Sequence, residues 1–257
     1  MSWFSSFSRL STPKKAVISK TDEKAFEDEV QKIEVLDEAT KKLYKDMKKC
    51  IDSMAQLSKL QCRIGQNLAA SPLLNTEDDF KEFEEMYSSI SRVDEFMVQF
   101  NENAQHCMID PMKKFSGIFP SVYTAIRKRE QLLQEYRKAH AKMEKYQEKE
   151  RTGPNIVKFE QAKKALNAAR EDYESEHNKL MEELPQFFNG RIEYFQPCFE
   201  ALIKSQINYY TECFHIYAEL AAHLKGEEFS VIDDEKYEVI LQQKLSDIRA
   251  LSIVIDD

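Results

Sequence analysis

The sequence predicts an all-α protein, an elongated antiparallel three-helix coiled coil with kinked helices. Apolar side chains recur at three- and four-residue spacing over long stretches, which marks helical stripes. The 5 Gly and 7 Pro among 257 residues are too few to punctuate a chain of short elements. Strand-like runs are few and never alternate regularly with turn signals, which excludes a sheet protein.

The first helix is expected from about residue 21 to residue 70. Its stripe reads Phe26, Val30, Ile33, Leu36, Leu43, Met47, Ile51, Met54, Leu57, Ile64 and Leu68. Thr21 is the expected N-cap, with Lys24 where a capping box would want Glu. Pro72 stops this helix, and Thr76 caps the next ahead of three acids. The second helix should run from about residue 77 to 150, kinked at Pro111 and Pro120 with help from Gly117, because the periodicity resumes beyond each. "ERTGPN" then forms a tight turn, and a third helix runs from about 155 to 224, bent near Pro185 and Pro197. A helix of about 70 residues is roughly 105 Å long, whereas a globule of this chain length is only about 45–50 Å across. The helices must therefore lie side by side in a rod. A further helical pattern, Ile240, Leu241, Leu245, Ile248 and Leu251, occupies the tail as a possible short docking helix.

Antiparallel folding puts 187–224 and the first helix beside 77–120, leaving 121–184 as a two-helix arm. The thick end is crowded with rings, among them Phe83, Tyr87, Phe195, Phe199, Tyr209 and Tyr210. Three helices offer too few inward positions for so many, so these six are the expected contact with a second copy.

The formal net charge is −8, but it is unevenly spread. Residues 113–164 hold 14 Lys or Arg against 6 Asp or Glu, and residues 1–20 hold four bases and no acid. The arm is thus a basic surface on an acidic protein, and an anionic partner meets that local field. Within "MSWFSSFSRL", Trp3, Phe4, Phe7 and Leu10 share one helical face opposite the serines, a candidate membrane-inserting segment over residues 1–20.

Five scattered cysteines without a C-x-x-C pair read as reduced thiols of a cytoplasmic protein. No run of 18 apolar residues suggests a transmembrane span, and no signal-peptide core is present. Glu174 with His177 and Glu212 with His215 have di-iron ligand spacing, but they fall 38 residues apart on one expected helix, too far to share a metal. No phosphate loop, nucleophile elbow or zinc pattern exists, so no catalytic residue, cofactor or metal is expected, and the chain reads as a non-enzyme. Nucleic acid is an unsuitable partner, because aromatics are not interleaved with the basic patch.

Three stretches carry a family likeness: "IDPMKKFSGIFPSV" (109–122), "IRKREQLLQEY" (126–136) and "EELPQFFNGRIEYFQP" (182–197). They resemble the kinked middle of helix two, its basic continuation and the last part of helix three in BAR (Bin/amphiphysin/Rvs) domains, over roughly residues 1–225. "MSWF", "KYQEKERTGP" and "IRALSIVIDD" look most like the bridging integrator group that lacks an SH3 domain, with its fungal Rvs161-type and Hob-type relatives. The resemblance implies a BAR domain at 21–225 and a tail at 226–257. It implies a crescent-shaped dimer, homodimeric or heterodimeric with another BAR protein, whose cationic face meets curved anionic phospholipid membrane. It places Lys128 on that face and Lys142, Lys145, Lys149 and Arg151 at the basic tip of the arm, and the neighbouring Arg127, Arg129, Arg137 and Lys138 add to the same charge. A second basic position of the family falls on Gln131, which thins the charge. Roles in endocytosis, actin organisation and cell polarity or division are implied too, with actin regulators or small GTPase pathway proteins as further partners and a peripheral location at membranes and the cell cortex. The competing class is a rod-like scaffold that binds only proteins.

Overall fold

The computed structural model describes residues 17–70, 77–223 and 234–251, and among them every regular element is a helix. In chain order these are α1 (Lys20–Ala69), α2 (Glu77–Ala104), a π-helical turn (Gln105–Ile109), α3 (Asp110–Ser116), α4 (Phe119–Gln147), α5 (Gly153–His223) and α6 (Asp234–Arg249). The expected second helix is therefore three pieces with a π-turn. Asp110 N–H reaches back five residues to the Gln105 carbonyl. Pro111, with no N–H and a ring that crowds the carbonyl four residues earlier, follows at once. At Gly117 the helix breaks again, and Pro120 sits in the first turn of α4, where its missing donor costs nothing. Helix α5 runs unbroken through Pro185 and Pro197. The cap of α1 is Ser19, whose Oγ accepts from Asp22 N–H at 3.0 Å, rather than the expected Thr21. Thr76 lies outside the described residues.

The described residues form two compact units, one within 17–52 and 102–205, the other within 53–70, 77–101, 206–223 and 234–251. The core of the first takes Phe26, Val30 and Ile33 from α1, Phe115 from α3, Phe119 and Ile126 from α4, and Leu180 and Leu184 from α5. Its centre is a cluster of rings. Phe115 stacks on Phe187 at 5.4 Å and meets Phe119, Tyr194 and Phe195 at 5.6, 5.3 and 4.9 Å. These rings thus fill the space at the proline-broken corner, where a straight helix would have left a gap. Asp37, almost wholly buried on α1, accepts from Lys41 and from the Tyr123 hydroxyl of α4. Burial and the Asp37 charge push the Tyr123 phenol up, so it stays a donor.

In the second unit α1 and α2 pack closely at Gly65. A Cβ there would lie 2.8 Å from Tyr87 Cδ2, so the absent side chain sets the helix spacing. Ser58 donates to Asp94 at 2.6 Å across the same pair. Phe100 packs on Tyr209 at 5.7 Å, and Arg92 pairs with Glu219 at 2.8 Å, which joins α2 to α5.

Candidate functional site

The basic candidates sit on α4 and the loop after it. Position along α4 decides which can meet a partner. Arg127, Lys128, Lys138, Lys142, Lys145, Lys149 and Arg151 are all exposed. Lys128 holds Glu176 of α5 at 2.6 Å, which spends part of its charge within the chain. Lys149 Nζ lies 5.3 Å from the Tyr146 ring centre, a cation–π contact that steadies one cation of the loop.

Arg129 is the exception and a correction. Its exposure is 0%, so it cannot reach a lipid headgroup. The guanidinium donates to both Glu23 oxygens at 3.1 and 3.0 Å, to Glu130, and to the Tyr173 hydroxyl at 2.9 Å. It also lies over the Phe26 ring at 4.0 Å. Burial alone would lower its pKa, but the hydrogen bonds and charge of Glu23, with Glu130, outweigh that and raise it. Arg129 therefore clamps α1, α4 and α5 together at the N-terminal end of α1. His177 joins the same layer, stacked on Tyr173 at 5.4 Å and tilted against Phe26 at 5.8 Å. Burial, then the Arg129 charge, hold its pKa below the ordinary histidine value. Of the two E-x-x-H pairs, Glu174 is engaged by Arg170, and His215 lies beside Phe214. Among the described residues no three His, Cys, Asp or Glu side chains group as metal ligands.

The ring-rich candidates divide by helix phase. Tyr210 is 58% exposed and Phe199 is exposed too, whereas Tyr209, one residue and about 100° away from Tyr210, is buried on Phe100 inside the chain. Tyr209 is thus a core residue, contrary to expectation. Phe83 is half-buried, Tyr87 covers Gly65, and Phe195 belongs to the Phe115 cluster. What lies open in the second unit is a stripe on α5 of Ile207, Tyr210, Phe214 and Tyr217, with Leu57, Leu60 and Ile64 exposed on α1. Their four-and-three spacing was readable in advance, but counting rings without phasing them obscured it. Trp3, Phe4, Phe7 and Leu10 lie outside the described residues. No described helix is long and apolar enough to cross a membrane.

Comparison with known proteins places this geometry. The family model for the BAR domain matches residues 11–226. Bridging integrator 3 of Mus musculus is 42% identical over 258 residues, covering 100% of both chains. The Candida albicans protein named regulator of cytoskeleton and endocytosis RVS161 is 28% identical, across 91% of this chain and 88% of its own. The BAR domain of Drosophila amphiphysin superposes with a TM-score of 0.67 at 17% identity, over 82% of this chain and 95% of that one.

Proposed function

The chain belongs to the BAR domain family, and from that premise we propose that it is a membrane-binding adaptor that senses or generates curvature. The observation that carries this reading is the row of exposed cations on α4 and its following loop, from Arg127 to Arg151, on a chain of net charge −8. Each Lys or Arg held near an anionic bilayer contributes about 1 kcal/mol, and the sum falls off within a Debye length. The arm needs no pocket for this, because its ligand is a surface. The second unit's open apolar stripe supports assembly as a dimer, with itself or with another BAR protein. Such an adaptor works without catalysis or cofactor, peripherally at membranes and the cell cortex. The name of the Candida relative supports a place in endocytosis and cytoskeletal organisation; cell polarity or division, through actin regulators or small GTPase pathway proteins, extends that reading.

Vesicle co-sedimentation tests it. The natural chain should bind phosphatidylserine vesicles at physiological salt and release them at high salt. Changing Lys142, Lys145, Lys149 and Arg151 together to Glu should abolish binding with helicity unchanged. Binding that survives the reversal would move the lipid contact away from these four cations, and absence of binding by the natural chain would leave the protein-only scaffold as the better reading.

A further inference from the structure

From residue 119 to residue 191 the exposed surface of α4, its following loop and α5 carries only two large apolar side chains. These are Ile156, 48% exposed, and Val157, 57% exposed, adjacent in sequence at the start of α5. Every other large apolar residue in that span is buried or half-buried. The pair is held on a fixed turn. Thr152 N–H and the Asn155 side chain both donate to the Glu150 carbonyl at 2.9 Å, and Ile156 N–H donates to the Thr152 carbonyl at 2.9 Å. Beside it opens a cavity of about 260 Å³ whose walls include the Tyr146 and Phe159 rings with Lys149 and Arg151. Ile156 thus shares its wall with two rings, and Lys149, Arg151 and Lys158 stand exposed around it, interleaved with the exposed Glu148, Glu150 and Glu160.

We propose that Ile156 and Val157 form an apolar wedge that enters the bilayer from the α4–α5 loop, while Lys149, Arg151 and Lys158 engage the anionic headgroups around it. The charge pattern selects the occupant. A small apolar point on a hydrogen-bonded turn, within a stretch (138–164) that holds eight Lys or Arg against four Glu, matches a surface that is negative outside and apolar a few ångströms deeper. A protein groove would instead call for a longer stripe at helical spacing, which this end of α5 lacks. The wedge deepens the membrane reading above and rests on it. Its effect differs from that of the cations: apolar burial resists salt, while headgroup attraction does not.

The experiment uses the full chain. Sequence position 3 holds its single Trp, so Trp3→Phe with Val157→Trp leaves one indole, placed on the wedge. The vesicles contain phosphatidylserine and a phosphatidylcholine brominated on its acyl chains. Insertion shifts the indole emission to the blue, and the bromines quench it. In the otherwise natural chain, Ile156→Ser with Val157→Ser should weaken vesicle binding roughly tenfold, with the salt dependence unchanged. Co-sedimentation with an unquenched, aqueous indole would overturn the wedge and leave the membrane reading standing. Absence of all vesicle binding would overturn both.

Discussion

Arg129 shows how one residue changes meaning with its surroundings. It carries the same charge as Arg127 and Lys128, yet it lies between Ile126 and Leu133 at three-and-four spacing, on the stripe that faces the core. Its charge was plain from the sequence, and its burial was legible in that spacing. What could not be read was Glu23, a partner 106 residues away. Arg129→Ala should cost about 3–5 kcal/mol in urea unfolding, because Glu23 is left without its cation. Arg129→Met combined with Glu23→Gln should recover much of the loss, since the one carboxylate left without its cation, Glu130, is the more exposed of the two. His177 gives a pH dependence at the same place. Its pKa is lowered below 6.5 in the folded chain, so between the two values the unfolded chain holds more protons. This contribution to stability is whole above the unfolded value and shrinks as pH falls toward the folded one. His177→Phe should flatten that part of the profile in unfolding midpoints taken from about pH 7.5 to 5.5.

At the scale of elements, the three long helices were legible because periodicity survives Pro185, Pro197 and the corner at Pro111 and Pro120. The form of the corner was not legible. Whether a proline is met by a bend, a break or a π-turn depends on what the neighbouring turn must bury, here Met108, Ile109, Met112 and Phe115. The cap at Ser19 rather than Thr21 is a shift of two residues, within the ordinary uncertainty of helix ends. Gly65 is the position where an element's composition controls packing. Gly65→Leu should lower stability by about 2 kcal/mol, despite the better helix propensity of Leu, because it overpacks against Tyr87. Adding Tyr87→Ala should restore part of that loss, and a double-mutant cycle in urea measures the coupling.

At the scale of the molecule, membership in the BAR family accounts for a chain that leaves large apolar side chains in the open. The surplus of rings in the sequence pointed to a partner copy, and phase along α5 refines where it would dock. Tyr210→Glu with Phe214→Glu should leave helicity intact, since both side chains are exposed, and give monomers in analytical ultracentrifugation. Tyr209→Ala should instead weaken the fold itself, because that ring is packed on Phe100. The first unit's core has one more consequence, for how the protein is made. Phe26, Val30 and Ile33 close against Leu180 and Leu184, about 150 residues later in the chain. At roughly 5–20 residues per second, the ribosome takes on the order of ten to thirty seconds to deliver the second half of that contact. For part of that interval the start of α1 is outside the tunnel with no α5 to close on, and a nascent-chain chaperone has something to hold.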